Sequence, residues 1–129
     1  MDAKAAARNF VETWLRAWPA ADADAIGAMY ADDALFTSHP FRAPEDPSGY
    51  ARRAFAEESF VEARFGDPVA CEDRATVEYW AVLADADGAE ETLIGVALLR
   101  FADDGRIAEH RDYWAMQNGR HEPAPGWGR

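Results

Sequence analysis

The apolar residues in the first third of the chain recur at the spacing of amphipathic helices. Between residues 3 and 18 they fall three and four positions apart, which places them on one face of a helix. Pro19 predicts the end of this helix, and Asp22 is suited to cap a short second helix that runs to about Tyr30. A third helix is expected over residues 48–59, where apolar residues again share one face.

Elsewhere the pattern changes to the alternation and the β-branched and aromatic composition that are typical of strands. The predicted strands cover residues 34–38, 60–71, 75–84, 90–101 and 106–116. Asp87-Gly88 and Asp104-Gly105 separate consecutive strands as hairpin turns, and Glu72-Asp73 is a third candidate turn. Sequential hairpins make an antiparallel sheet, and helices that precede such a sheet predict an α+β fold.

The predicted elements form one domain over residues 1–116, followed by a tail over residues 117–129. A chain of 129 residues is large enough to bury one core and too small for two domains. The tail is rich in proline and glycine and shows no period, so we expect it to be flexible or draped over the surface.

Charge and cysteine content narrow the range of partners. The chain has 13 Lys and Arg against 24 Asp and Glu, and its net charge of −11 repels phosphate backbones and anionic lipid headgroups. Nucleic acid is therefore not an expected partner. The longest strongly apolar run without charge, residues 93–99, is too short to span a membrane. The single Cys71 and the lack of a secretory pattern at the start predict a cytoplasmic protein.

Three segments, taken in order, point to a known superfamily. They are YADDA over residues 30–34, the strand that ends at Pro40, and GRIAEHRDY over residues 105–113. With the order of the helices and strands, they resemble the nuclear transport factor 2-like superfamily and, within it, the SnoaL-like group. The resemblance implies a cone-shaped α+β barrel, in which N-terminal helices pack on a strongly curved, mainly antiparallel sheet with a pocket at its open end. It also implies a homodimer formed through the outer sheet face.

The superfamily includes several enzyme activities and non-catalytic members, so activity has to be judged residue by residue. The ketosteroid isomerases use a tyrosine, an aspartate base and a protonated aspartate at positions that correspond here to Trp14, Ser38 and Ala97. These three residues cannot supply the base or the acidic hydrogen-bond donors. We therefore expect no ketosteroid isomerase activity by the usual mechanism.

The limonene epoxide hydrolases of the superfamily activate water with an aspartate, an arginine and a second aspartate. Asp112, within Arg111-Asp112-Tyr113, matches one aspartate, whereas the other two positions fall on Glu78 and Trp80. A glutamate in place of the arginine removes the cation that orients the second carboxylate, and tryptophan fills the space of the first. The resemblance therefore gives little support to epoxide hydrolysis by that triad.

Alternation along the strands predicts which side chains share the inner face of the sheet. If Asp112 points inward, His110 and Trp114 do so as well, and the same reasoning groups Glu78 with Trp80.

Other positions follow from the same alternation. Phe36 and Ser38 are expected on the inner face, and His39 could turn into the mouth of the pocket or face water. Tyr79 and Tyr113 have the opposite parity and are predicted on the outer face, where a dimer partner could bury them.

Asp112 and Glu78 are the candidate acid and base. Two carboxyl groups in one apolar cavity repel each other, so one could keep its proton and act as the acid while the other acts as the base. His110 or His39 could relay protons or serve as the base, because histidine titrates near neutral pH. Alternatively, neighbouring donors satisfy the carboxylates, His110 is a hydrogen-bonded interior residue, and His39 lies in a solvated loop.

Aromatic side chains are predicted to line a cavity suited to a flat or hydrophobic ligand. The predicted ligand-contacting residues are Trp14, Tyr30, Phe36, Ser38, Trp80 and Trp114. The same bulky residues could instead fill the barrel completely. The chain has no recognised metal-ligand or phosphate-binding motif, so we expect neither a metal nor a cofactor.

These features predict a small-molecule pocket protein and leave open whether it is an enzyme. The leading hypothesis is cofactor-independent acid–base chemistry on a small hydrophobic molecule, with cyclisation, isomerisation, dehydration and hydrolysis as candidate reactions. The alternative is a non-catalytic module that binds a small molecule or assembles as a dimer.

Overall fold

The computed structural model describes the chain from residue 1 to residue 129. Its elements, in chain order, are α1 (Ala3–Ala20), α2 (Ala23–Gly27), β1 (Tyr30–Thr37), α3 (Pro47–Glu57), β2 (Ser59–Phe65), β3 (Val69–Cys71), β4 (Arg74–Ala84), β5 (Glu90–Phe101) and β6 (Ile107–Asn118). No helix is both long enough and apolar enough to cross a membrane. Three helices and a six-stranded sheet confirm the α+β prediction.

Helix α1 begins and ends with identifiable caps. The Asp2 carboxylate accepts hydrogen bonds from the backbone N–H groups of Lys4 and Ala5 at 3.0 and 3.1 Å. Pro19 lies inside the last turn, and the helix ends one residue later because Ala21 adopts a left-handed conformation with φ of 52°. The prediction that Pro19 ends the helix is therefore wrong by one residue.

The second helix is shorter than predicted. Asp22 caps it as expected, accepting a hydrogen bond from the Ala25 N–H at 3.1 Å. The helix stops at Gly27, and Tyr30 instead begins β1, which pairs in parallel with β6. Tyr30 follows the helical spacing of the apolar residues before it, yet it lies in a strand because its strand forms backbone hydrogen bonds with β6.

Helix α3 follows the loop that leaves β1. Asp46 caps it by accepting hydrogen bonds from the Gly49 N–H and the Ser48 hydroxyl, both at 2.8 Å. Pro47 occupies the first turn, where its missing N–H costs no helical hydrogen bond. The third helix is confirmed.

The sheet has the strand order β1-β6-β5-β4-β2, with β3 also paired to β4. It is strongly curved but open, with β1 and β2 at its edges, rather than closed into a barrel. All pairings are antiparallel except that of β1 with β6. Gly88 and Gly105 have φ angles of 83° and 86°, which confirms both predicted hairpin turns. The single strand predicted over residues 60–71 is divided into β2 and β3.

Strand β4 is buried on both faces. Val77 and Tyr79 pack into the core against the helices, whereas Trp80 and Val82, also buried, point to the opposite face. The prediction that Glu78 and Trp80 face the helices is therefore wrong, and so is the prediction that Tyr79 lies outside. Both faces of β4 carry apolar residues, so the alternation does not show which face is the inner one.

The C-terminal tail covers the outer face of β4. The Trp80 indole N–H donates to the His121 carbonyl at 2.7 Å, and the Gly128 N–H donates to the Glu78 carboxylate at 3.2 Å. Thr92 joins the same contact, because its hydroxyl donates to the Gly119 carbonyl at 2.6 Å and accepts from the His121 N–H at 2.9 Å. The tail is thus draped over the surface, and β6 extends two residues beyond residue 116.

Replacing Thr92 with valine should weaken the attachment of the tail. Thr92→Val leaves the Gly119 carbonyl and the His121 N–H without their partner, and we expect the free energy of unfolding to fall by about 1–3 kcal/mol. Urea unfolding measures this change. Thr76→Val on the neighbouring strand is the control, since Thr76 lies on the same face and makes no side-chain hydrogen bond. Equal stability of the two variants would contradict the proposed attachment.

Candidate active site

A cavity of about 260 Å³ lies between the helices and the inner face of the sheet. Most of its lining side chains are apolar and come from α1, α3 and the sheet. Four acidic side chains, two arginines and one histidine also line it: Glu45, Glu57, Glu58, Asp112, Arg42, Arg53 and His110. The cavity therefore combines the apolar walls of a small-molecule site with a few polar groups.

His110 is buried at the base of the cavity and is 2% exposed. Its ring packs against Phe36 at 4.9 Å and Phe10 at 5.6 Å between ring centroids. The Tyr30 hydroxyl lies 2.6 Å from His110 Nδ1. Parallel pairing of β1 with β6 aligns Phe36 with His110 and brings Tyr30 within reach of the imidazole.

The Tyr30 contact is the basis on which we assign the tautomer of the His110 ring. Burial, and secondarily the negative charge of Asp112, raise the pKa of Tyr30 well above its ordinary value, so the phenol keeps its proton. Nδ1 is its only side-chain hydrogen-bond partner, so we assign the phenol as the donor and Nδ1 as the acceptor. In the neutral imidazole the ring proton must then lie on Nε2.

Asp112 is held beside this imidazole. The Tyr79 hydroxyl donates to Asp112 Oδ1 at 2.7 Å, and Asp112 Oδ2 lies 3.7 Å from His110 Nε2. Burial first, and then the charge of Asp112, raise the pKa of Tyr79 well above its ordinary value, so the phenol remains a donor. Tyr30, His110, Asp112 and Tyr79 thus form one chain of polar contacts.

Gly95 on β5 makes room for this chain. A Cβ atom at this position would lie 2.7 Å from the Tyr79 hydroxyl and 2.6 Å from the Tyr113 carbonyl oxygen. Any side chain here would displace Tyr79, which would move its hydroxyl away from Asp112. Gly95 is required because of this close approach rather than because of its backbone angles.

The loop after β1 forms one wall of the cavity. The Ser38 hydroxyl donates to Glu45 at 2.8 Å and accepts from Arg42 at 3.1 Å, while the Ser38 carbonyl accepts from the Trp114 indole at 2.6 Å. Arg53 forms an ion pair with Glu45. Burial of Glu45 would raise its pKa, but the hydrogen bonds from Arg53 and Ser38 outweigh it and the pKa is lowered. Ser38 therefore orders the wall without lining the cavity.

His39 does not line the cavity. Its ring stands edge-on to Trp114 with 4.8 Å between ring centroids, and its Nδ1 accepts a long hydrogen bond from the Phe41 N–H at 3.3 Å. His39 therefore packs against Trp114 outside the cavity, so of the two alternatives left open by the sequence, the pocket mouth or water, it does not take the first.

Three buried polar atoms have no hydrogen-bond partner, and all belong to residues that line the cavity. They are His110 Nε2, Trp14 Nε1 and Glu58 Oε2. Buried polar groups are normally paired, because an unpaired one loses its hydration without compensation. All three atoms are therefore available to polar groups that enter the cavity.

The structure thus brings together only part of the predicted site. Trp14, Phe36, His110, Asp112 and Trp114 line the cavity as expected. Tyr30 reaches it only through His110, while Glu78 and Trp80 lie on the outer face under the tail.

Sequence reasoning missed several residues of the cavity wall. Tyr50 stands four residues before Ala54, so the two share a face of α3, and the α3 periodicity contains this signal. Burial, and secondarily the charge of Asp112, raise the pKa of Tyr50 to about 12. Glu58, Arg42 and Glu45 stand at a helix end or in a loop, where no periodicity predicts which way a side chain points.

No group of three or more His, Cys, Asp and Glu side chains is arranged to hold a metal ion. His110 and Asp112 are neighbours, but Glu78, the other candidate carboxylate of the sequence analysis, lies on the other face of the sheet.

Comparison with known proteins gives a family and a fold. Residues 11–110 match the family model of the SnoaL-like domain. No curated protein matches the sequence.

Three solved structures share the fold. An LEH-like epoxide hydrolase from M. tuberculosis has a TM-score of 0.67 and 23% identity, covering 85% of this chain and 82% of that one. SalBIII, an epoxide hydrolase/cyclase-like enzyme with a role in pyran ring formation in the polyether salinomycin, has a TM-score of 0.73 and 17% identity, covering 92% and 98%. A hypothetical protein with a ketosteroid isomerase-like fold from Catenulispora acidiphila DSM 44928, in complex with trimethylamine, has a TM-score of 0.69 and 23% identity, covering 81% and 84%.

Two buried tyrosines, Tyr30 and Tyr79, and the partly buried Tyr50 should make the fold sensitive to alkaline pH. The pKa values of Tyr30, Tyr50 and Tyr79 lie above the ordinary value of 10.0, so the folded protein retains protons that the unfolded chain releases. Below pH 10 the three phenols are protonated in both states, and their full contribution to the free energy of unfolding is present. As the pH rises above 10 this contribution is lost, and for Tyr50 the loss is complete near its folded-state pKa of about 12. Urea unfolding at a series of pH values measures this loss.

Two substitutions isolate the effect from other alkaline titrations. Tyr50→Phe should remove roughly 2–3 kcal/mol of the loss, because a shift of one pKa unit corresponds to about 1.4 kcal/mol. Phe41→Tyr, which adds a phenol at a position that is 94% exposed, should leave the pH profile unchanged. Identical profiles for Tyr50→Phe and the wild type would contradict the role given to burial.

Proposed function

This chain belongs to the SnoaL-like domain family, and we propose that its cavity carries out cofactor-independent acid–base chemistry on a small hydrophobic molecule. The observation that supports this most strongly is the contact between Asp112 and His110. Asp112 Oδ2 lies 3.7 Å from His110 Nε2 at the cavity. A carboxylate and an imidazole N–H at this separation can contact neighbouring atoms of one substrate.

Asp112 is the proposed proton acceptor. Its carboxylate takes a proton from a C–H group, from water or from a substrate hydroxyl, while the electron pair released in that step moves to a substrate oxygen. The Nε2–H of His110 donates a hydrogen bond to that oxygen and stabilises its developing negative charge. The protonated Asp112 then returns its proton to the product, so that the protein ends each cycle unchanged.

This sequence of proton transfers fits the four candidate reactions. In an isomerisation the proton returns to a different carbon, and in a dehydration it leaves with the departing hydroxyl as water. In the opening of an epoxide, by water or by an internal hydroxyl, the proton of the nucleophile reaches the alkoxide through Asp112. Ring formation and hydrolysis therefore differ only in where the nucleophile comes from.

Tyr30 and Tyr79 are proposed as positioning residues. Tyr30 keeps the proton of the His110 ring on Nε2, and Tyr79 fixes Oδ1 so that Oδ2 is the oxygen nearer to His110. Trp14, Phe36 and Trp114 supply the apolar walls that exclude water. Glu78, Trp80 and His39 have no part in the chemistry.

Substitution of Asp112 tests the proton acceptor. The purified protein is incubated with a panel of small apolar epoxides, hydroxyketones and unsaturated ketones, and products are measured by mass spectrometry and NMR. Asp112→Asn should lower any turnover by at least about a hundredfold, because an amide cannot accept the proton. The fold should persist, since the amide oxygen can still accept from Tyr79.

Glu78→Gln is the matched control, because it removes the other carboxylate considered from sequence but lies on the outer face. It should retain wild-type turnover. Full activity of Asp112→Asn would overturn the mechanism. Tight binding of these compounds without turnover would favour the alternative, a module that binds a small molecule without chemistry.

We also propose that the chain forms a homodimer through the outer faces of β5 and β6. Val96 pairs with Tyr113 and Ile94 with Ala115, which gives this face a row of apolar side chains outside the tail. Tyr113 is 43% exposed, and burial of such a row against a second copy is favourable. A cytoplasmic location remains a prediction from the lone, exposed Cys71.

Light scattering after size-exclusion chromatography tests the dimer. The wild type should have twice the chain mass of 14.3 kDa. Tyr113→Glu should give the single-chain mass, because it places a charge at the centre of the contact. Phe41→Glu adds the same charge at a loop position that is 94% exposed and lies off the outer faces of β5 and β6, and it should remain dimeric. A wild-type mass of one chain would contradict the dimer.

A further inference from the structure

We propose that the ligand of this cavity carries a protonated amine, which Glu58 and the rings of Trp14, Trp18 and Phe55 bind together. This inference rests on the proposed function in placing the substrate in the same cavity, and it adds the chemical class of that substrate. Four side chains at the α1 and α3 wall carry it.

The aromatic side of the proposed amine site consists of the rings of Trp14, Trp18 and Phe55, which meet at steep angles. Trp14 lies 5.0 Å from Trp18 and 6.0 Å from Phe55 between ring centroids, with interplanar angles of 68° and 78°. Rings that meet nearly at right angles present faces in more than one direction toward the space they border. Such faces attract an alkylammonium group through the ring quadrupole, and tryptophan does so best.

The acidic part is Glu58, at the residue that follows the last turn of α3. Its side chain is half-buried, and its Oε2 is shielded from water without a hydrogen-bond partner. A carboxylate oxygen in that position has lost hydration without compensation. Burial, then the negative charge of Glu91 and a hydrogen bond between the two carboxyl groups, raise the pKa of Glu58, so two acidic side chains meet here without a cation. An ammonium group would supply both the missing hydrogen bond and the missing positive charge.

The remaining charges of the cavity also favour a cation. Glu57 lines the cavity as well, and Asp85 adds to the negative charge around Glu58. The two lining arginines are already engaged, since Arg53 pairs with Glu45 and Arg42 lies over the Trp114 ring at 5.4 Å from its centroid. Glu57 also feels the charge of Arg53, but neither Glu58 nor Asp85 forms an ion pair with a basic side chain.

The unpartnered Nε2 of His110 is an independent sign that this cavity takes a polar ligand. His110 is almost completely buried, yet this nitrogen has no hydrogen-bond partner. It suits an oxygen of the ligand, as the proposed chemistry requires, and it leaves the amine to the acidic wall. The ligand is then a compact apolar molecule with an oxygen at one point and an amine at another.

Binding of three probes with the same phenyl ring tests the amine. Phenethylamine, phenethyl alcohol and phenylacetate differ in a cationic, a neutral and an anionic head. Their dissociation constants are measured at neutral pH from tryptophan fluorescence and from NMR shifts. Phenethylamine should bind at least about tenfold more tightly than phenethyl alcohol, and phenylacetate should bind most weakly.

Two glutamine variants locate the effect. Glu58→Gln should bring phenethylamine to the affinity of phenethyl alcohol while the affinity for the alcohol is unchanged. Glu72→Gln removes the same charge from an exposed turn outside the cavity, and it should keep the wild-type preference. If both variants lose the preference for phenethylamine, the preference is an effect of the net charge of the protein, and the proposed amine site is wrong.

Each remaining outcome is decisive. Equal affinities for the three probes, tighter binding of phenylacetate, or no binding of phenethylamine would overturn the inference, as would a preference that survives in Glu58→Gln. These results would leave the proposed chemistry standing if Asp112→Asn still abolished turnover of neutral substrates. Conversely, the amine preference could require Glu58 while Asp112→Asn leaves turnover unchanged. That combination would support the amine site and contradict the proposed chemistry.

Discussion

The hydrogen bond from the Tyr30 hydroxyl to His110 Nδ1 is the contact on which the geometry of the site depends. Both groups are buried among aromatic rings, where an unpaired donor or acceptor would be costly. By occupying Nδ1, the phenol directs the remaining ring proton toward Asp112 and the cavity. A parallel pairing of the first and last strands is needed to bring these two residues together, although they are 80 positions apart in the chain.

The second constraint is the location of the Asp112 carboxylate beside an apolar cavity. Its charge raises the pKa of Tyr30, Tyr50 and Tyr79, on top of the larger effect of their burial. The phenols therefore remain protonated, and the hydroxyl of Tyr79 is held as a permanent donor to the carboxylate. The missing side chain at Gly95 allows the approach of Tyr79, so backbone, phenol and carboxylate form one unit.

Much of the fold can be predicted from local chemistry. The Asp22 cap, the glycine turns at Gly88 and Gly105, and the boundaries of β5 follow from residue types whose preferences act over a few positions. The inner face of β6 was also predicted, because the family resemblance pointed Asp112 inward and alternation then grouped His110 and Trp114 with it.

The parity of β4 could not be predicted in this way. Trp80 is as buried as Val77, but the tail buries it, and a distant segment leaves no mark on the alternation of the strand. The loop and helix-end residues Arg42, Glu45 and Glu58 were missed for a related reason, since only the assembled cavity brings them together. Local periodicity thus predicts elements, while long-range contacts decide which face of an element is functional.

The position of the ring proton of His110 is the most direct test of this account. Long-range hydrogen–nitrogen correlation NMR at a pH where the ring is neutral distinguishes the two tautomers. The account predicts a proton on Nε2 in the wild type and a mixture of tautomers in Tyr30→Phe, where Nδ1 has lost its donor. A wild-type ring with its proton on Nδ1 would contradict it, because His110 could then offer no N–H to a substrate oxygen beside Asp112.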